Sequence, residues 1–209
     1  MSEKESQYAR NAAGWSDVQY ADSGAYLAHR ADLVTMLGPP LAPGDEVLDL
    51  ACGDGGLGAY LAARGLRYRG VDTTPEMVAE AARRLGPGAE LEVGDMNEYE
   101  PPEPVAATTV FRAIYYARDR REFLRRVASF TTVKLVLDLN PRQYAVAHVV
   151  EDLHAAGLGE VVLHPFFVPQ TVTLPRAAGA ALRAAERSGP LARLLLRHRF
   201  TYVVAASRS

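Results

Sequence analysis

Val47-Leu48-Asp49-Leu50-Ala51-Cys52-Gly53-Asp54-Gly55-Gly56 decides the reading of this chain. Glu46–Leu50 is short and rich in β-favouring residues, so it is expected as a strand. The glycines that follow allow a tight turn, and Leu57–Arg64 then has helical spacing, with Gly65 placed to end it. The same alternation repeats outward. Tyr68–Val71 is a strand closing on Asp72, and Thr74 and Pro75 sit at the N-cap and first position of a helix that runs to about Leu85. Glu90–Val93, Val105–Phe111 and Val133–Leu139 follow as strands, with a helix over Arg118–Phe130. After them come a helix over Tyr144–Ala156, a sixth strand within Glu160–Val168, a helix over Ala177–Arg197 and a seventh strand, Arg199–Ala206. Before the decisive stretch, residues 6–37 have loosely helical spacing that Gly38-Pro39-Pro40 stops. Strand–helix alternation of this length predicts an α/β fold with one doubly wound, mostly parallel sheet. The expected organisation of residues 1–209 is one domain: a helical lid at 1–40, a ligand-binding core at 44–140 and acceptor-side elements at 141–209.

The 209 residues carry a net charge of −2, 48% hydrophobic and 23% charged residues, and one cysteine, Cys52, which excludes a disulfide within the chain. The first residues are polar and no apolar run is long enough to cross a bilayer, so a cytoplasmic protein without membrane contact is expected. Residues 1–111 carry about −10 and residues 112–209 about +8. The basic half is the one hint of an anionic partner; without a uniformly basic face or a nucleic-acid motif, nucleic acid is disfavoured.

The glycine loop fits two ligand classes. Gly53-Asp54-Gly55-Gly56-Leu57-Gly58 matches the G-x-G-x-x-G pattern of dinucleotide sites, with Asp72 close to the expected ribose carboxylate. That pattern places a pyrophosphate on the loop and on the helix N-terminus. Asp49 and Asp54 would repel it, whereas they suit a ligand bearing an ammonium and a sulfonium. Asp72 and Asp95 close the second and third strands, on the sheet edge where open α/β folds bind ligands. In this pattern Asp72 is suited to ribose hydroxyls and Asp95 to an adenine amino group, with Met96 beside the ring.

The segment Val47–Gly56 resembles the first motif of the class I methyltransferases, which use S-adenosylmethionine. Gly70-Val71-Asp72-Thr73-Thr74-Pro75-Glu76-Met77 resembles their second motif and Gly94-Asp95-Met96 their third. The resemblance covers about residues 44–140 by motif and the whole chain by element order. It implies a seven-stranded sheet of order 3-2-1-4-5-7-6 with the last strand antiparallel. It assigns Ala51 (where glycine is commoner), Gly53 and Gly55 to the methionine part, Asp72 to the ribose, and Asp95 and Met96 to the adenine. Asp49, Cys52, Thr73, Met77 and Phe111 complete the implied cofactor set, with Cys52 as a small packing residue.

The resemblance puts the acceptor over the ends of strands four and five. Arg112, Tyr115, Tyr116 and His164 are the candidates for acting on it, and Asn140, Arg142 and Tyr144 are expected nearby. The stretch after strand four, Ala113-Ile114-Tyr115-Tyr116, lacks the histidine found there in relatives, so a histidine base at that place is excluded. His29, His148, His154 and His198 are expected to face solvent. Tyr8, Trp15, Tyr20 and Tyr26 are candidates for a lid, and Pro165–Gln170 for an apolar pocket wall. No metal is expected. The implied activity is methyl transfer to oxygen or nitrogen of a small molecule, by a monomer or homodimer. An RNA or protein acceptor, a non-catalytic S-adenosylmethionine-binding protein and an NAD-dependent oxidoreductase remain open.

Overall fold

The computed structural model describes residues 9–189, 192, 194 and 201–209. Tyr8, His198, most of the predicted helix beyond 189 and the first two residues of the last predicted strand lie outside them.

Seven strands form one sheet: β1 (Glu46–Leu50), β2 (Arg67–Asp72), β3 (Glu90–Val93), β4 (Val105–Val110), β5 (Thr131–Leu139), β6 (Glu160–Phe166) and β7 (Thr201–Ser207). Their order is β3-β2-β1-β4-β5-β7-β6, and β7 runs antiparallel to both β5 and β6. The expected topology is therefore the observed one. The helices α1 (Trp15–Gln19) and α2 (Ser23–Met36) precede β1. The stretch read as one helical region is broken at Tyr20–Asp22, where Asp22 turns its carboxylate onto the Ala25 amide to start α2. Between strands come α3 (Gly56–Ala62), α4 (Pro75–Leu85), α5 (Arg120–Phe130) and α6 (Val146–Ala155). The helix α7 (Arg176–Glu186) follows β6, and Ala192 and Leu194, the described residues of the predicted helix beyond 189, are also helical.

Alternation along the central strands explains the two layers. Leu48 and Leu50 of β1, with Leu135, Leu137 and Leu139 of β5, face one core with Phe123, Leu124 and Val127 of α5 and Val149 and Leu153 of α6. Val47 and Val136, one residue out of phase, face the other core with Leu27, Ala31 and Val34 of α2 and Leu57 and Leu61 of α3. The buried Lys134 belongs to the second side. Its ammonium donates to the Leu37 carbonyl at 2.7 Å, beyond the C-terminus of α2, and so ties that helix to β5. This docking carries α2 residues up to the carboxyl ends of the strands.

Thr74 and Pro75 occupy the predicted N-cap and first helical position of α4, but the Thr74 side chain makes no cap bond. The Thr74 amide instead reaches back to Asp72 at 2.9 Å. Helix α5 starts at Arg120 because the Asp119 carboxylate accepts the Glu122 amide.

Gly55 fixes how α3 meets α4. Its φ is +69°, and a β-carbon added there would lie 2.9 Å from Ala81 Cβ and 3.2 Å from Ala81 Cα. Left-handed backbone costs about 1–2 kcal/mol with a side chain, and overpacking adds about 1–3 kcal/mol. Gly55→Ala should therefore lower the urea-unfolding free energy by about 2–5 kcal/mol. A loss below about 1 kcal/mol would contradict the packing described.

Candidate functional site

The carboxyl ends of β1 to β4 open into one cavity of about 520 Å³, roofed by α1 and walled by α2. Its size is that of a small-molecule or cofactor pocket. Ala51 and Gly53 turn the chain after β1 with φ of +61° and +57°. A positive φ favours glycine, so Ala51 holds a strained conformation. Two bonds to β2 fix the turn: the Cys52 amide donates to Val71 O at 2.9 Å, and the Gly53 amide to Asp72 Oδ2 at 2.9 Å. Asp72 Oδ1 accepts the Thr74 amide, so one carboxylate organises both the loop and the start of α4. Burial raises the pKa of Asp72 against these donors, yet each oxygen keeps a lone pair for a ligand.

Asp49 is deeper. Its oxygens accept Thr109 Oγ1 at 2.6 Å and Tyr68 Oη at 2.8 Å. Burial pushes its pKa up to about 6, against those hydrogen bonds and the Arg30 charge. The same burial, with Asp49 beside it, raises the Cys52 thiol, which keeps it an un-ionised packing group.

Asp54 requires a correction. It is not an open carboxylate facing the ligand: Ser16 donates to it through both amide and hydroxyl at 2.8 and 2.6 Å, and Arg84 pairs with it at 2.8 Å. Its charge is compensated, and its work is to pin α1 over the loop. Trp15 follows from this, since a β-carbon on Gly53 would lie 3.5 Å from its ring. The objection to a pyrophosphate thus rests on Asp49, not on Asp54.

At the end of β3, Asp95 accepts the Asn97 amide and side chain and pairs with Arg118. Burial would raise its pKa, but the Asn97 donors and Arg118 outweigh it and hold it low. Asn97, unremarked in the sequence, also donates to Tyr116 O and accepts the Arg118 amide, joining the loops after β3 and β4. Met96 is buried at the cavity wall.

The structure brings Asp49, Ala51, Cys52, Gly53, Asp72, Thr73, Met77, Asp95, Met96 and Phe111 to the cavity wall, with Arg112, Tyr115 and Tyr116. Gly55 is not there; it faces α4. Neither is His164, whose ring sits on Pro165 O along β6. Asn140 caps its own turn by accepting the Arg142 amide, and Tyr144 packs against the core under Arg120, so neither reaches the cavity. Phe166 fills core beside Tyr26 and His29 instead of walling a pocket. His29 does not face solvent: it is buried, with Nε2 2.7 Å from Glu186. Among the described residues no group of three histidine, cysteine or acidic side chains is placed to hold a metal.

Arg30, Gln19 and Tyr20 also line the cavity, and the sequence reading missed Arg30 and Gln19. A signal for Arg30 existed. Tyr26, Leu27, Leu33 and Val34 lie three or four residues either side of it, so an arginine on that stripe is buried and requires a partner. The partner is Asp138, at 2.5 Å, with the guanidinium 4.5 Å from the Phe111 ring centroid and 4.7 Å from that of Tyr26.

A family model described as a methyltransferase domain matches residues 47–133. Over these residues the chain is similar to a methyltransferase domain. Trans-aconitate 2-methyltransferase of Mycobacterium tuberculosis (strain H37Ra) is 33% identical over 112 residues, which span 53% of this chain and 41% of that protein. Its counterpart in Methylobacterium nodulans is 39% identical over 108 residues, 48% and 40% of the two chains. The matched segments thus cover about two-fifths of these relatives' length. A TehB-like methyltransferase structure from Corynebacterium glutamicum shares the fold at a TM-score of 0.64 and 18% identity, covering 99% of this chain and 98% of that one. Phosphoethanolamine N-methyltransferase 2 of Haemonchus contortus shares it at 0.66 and 17%, covering 94% and 56%.

Asp49 makes the domain's stability depend on pH. Its folded pKa of about 6 lies above that of an unfolded aspartate, about 3.9, so between these values the unfolded chain ionises first and gains. Relative to Asp49→Asn, the unliganded protein should lose about 2–3 kcal/mol of unfolding free energy as pH rises from 4 to 7, then level off. Parallel curves for the two proteins in urea titrations across that range would rule this out.

Proposed function

We propose that the methyltransferase domain uses S-adenosylmethionine and transfers its methyl group to oxygen or nitrogen of a small-molecule acceptor. The observation that carries this reading is Asp72, a half-buried carboxylate at the end of β2 whose oxygens each hold one backbone donor and retain capacity for another. That donor set suits the two hydroxyls of a ribose. Asp95 and Met96 would hold the adenine, and the turn through Ala51 and Gly53 the methionine part. The cofactor supplies a methyl carbon already activated by its sulfonium. The protein's task is then alignment and exclusion of water, which the roof formed by Trp15 and Ser16 serves. Phe111, Arg112, Tyr115 and Tyr116 would border the acceptor, because they follow β4 on the side away from Asp72.

The relatives support a small acceptor, as both are named for a small carboxylic acid. The basic second half gives little support to a nucleic acid. Arg118, Arg120 and Arg125 pair with carboxylates, Arg126 donates to the Met96 and Tyr99 carbonyls, and Lys134 is buried. Little unpaired charge remains on those side chains for a polyanion.

Calorimetric titration with S-adenosylhomocysteine and, separately, NADH tests the reading. S-adenosylhomocysteine should bind, and Asp72→Ala should weaken it at least about 30-fold, the loss of two hydrogen bonds to a charged group. NADH binding in preference, or an unchanged affinity in the variant, would overturn it. Binding with no one-methyl mass gain across candidate acceptors would instead favour a non-catalytic protein.

A further inference from the structure

The cavity is electrostatically divided by the strand order. Asp49 and Asp72 stand over β1 and β2, and Asp95 over β3. On the other side of β1, over β4 and β5, stand two arginines and one aspartate: Arg112 directly after β4, Arg30 from α2, and Asp138 in β5. Both Asp138 oxygens already hold a donor. One oxygen accepts Arg30 Nη2 at 2.5 Å and the other accepts the Arg112 backbone amide at 2.6 Å. Its charge therefore offsets Arg30, and among the described residues the guanidinium of Arg112 has no carboxylate of its own. Arg112 Nη1 donates to the neutral Gln19 Oε1 at 3.0 Å, and its guanidinium lies 5.7 Å from the Tyr20 ring centroid.

Two further observations point the same way. Arg30 Nε is buried with no acceptor among the described residues, an unmet donor on a side chain that reaches the cavity wall. Arg112 holds φ of +54°, a conformation that a long side chain adopts only under constraint, here the bond to Asp138. A strained arginine with an unpaired charge, held on an aromatic wall beside a buried arginine with a spare donor, is built to receive an anion.

We propose that Arg112, backed by Arg30, binds a carboxylate of the acceptor, so that the substrates are organic acids. The proposal rests on the methyltransferase reading for the word acceptor, and on geometry alone for the carboxylate. With Arg30 offset by Asp138, the single charge of Arg112 is left on this side of the cavity, which matches a monoanionic carboxylate and leaves half of a phosphate dianion uncompensated. Gln19, at the end of α1, touches Arg112, so the bound anion also meets the roof of the cavity.

Benzoate, benzamide and phenyl phosphate are suitable probes, titrated by calorimetry into the full chain with and without S-adenosylhomocysteine. Benzoate should bind more tightly than the other two. Arg112→Gln should weaken benzoate about 10- to 100-fold, as expected for hydrogen bonds to a charged group, and leave benzamide little changed. Arg112→Lys should recover part of the loss, and matching circular dichroism and melting curves establish that the variants are folded. Equal affinity for benzamide, tighter binding of phenyl phosphate, or benzoate affinity insensitive to Arg112→Gln would each overturn the proposal. Failure of S-adenosylhomocysteine to bind would count against the cofactor reading, while the dependence of benzoate on Arg112 still decides this one.

Discussion

A single carboxylate joins the loop after β1 to the start of α4. Asp72 closes β2, holds the Gly53 amide of the neighbouring strand's loop, and holds the Thr74 amide at the start of α4. Without the first bond the loop after β1 would lose its fixed distance from β2; without the second, α4 would lose its entry angle. Both bonds use backbone donors, so they constrain the path of the chain and leave the outer lone pairs free. The strained Ala51 persists because this anchoring over-determines the loop.

Charge in the site is organised by compensation as much as by repulsion. Asp54 appears in the sequence as a second acid in the glycine loop, yet Ser16 and Arg84 consume it, and its effect is mechanical: it fastens the roof. Asp49 is buried enough to shift towards neutrality and is held by Thr109 and Tyr68. Asp138 ties Arg30 in place from the opposite side. The uncompensated groups, Asp72 and Arg112, stand on opposite sides of β1, which gives the cavity a polarity that neither half of the chain's net charge would suggest.

What the sequence made legible was everything governed by local rules. The α/β sheet followed from strand–helix alternation and the wall residues Asp72, Asp95 and Met96 from their places at strand ends, while the strand order was implied by the resemblance. What it hid was set by long-range packing. His29 pairs with Glu186 across 157 positions of sequence, and Arg30 with Asp138 across 108, and no spacing announces such partners. Gly55 carries the motif's spacing but serves α3–α4 packing, because a glycine needed for close approach and one needed for ligand contact look alike in a motif. His164 and Phe166 fell on the strand beyond β7, where the sheet order carries them away from the cavity.

The central claim is that this cavity, and the Asp72 carboxylate within it, receives the cofactor. A crystal structure of the chain with S-adenosylhomocysteine tests it most directly. The account predicts both ribose hydroxyls within hydrogen-bond distance of Asp72, the adenine beside Met96, and the sulfur directed towards Phe111 and Arg112. A ligand bound elsewhere, or bound here with its ribose away from Asp72, would contradict it.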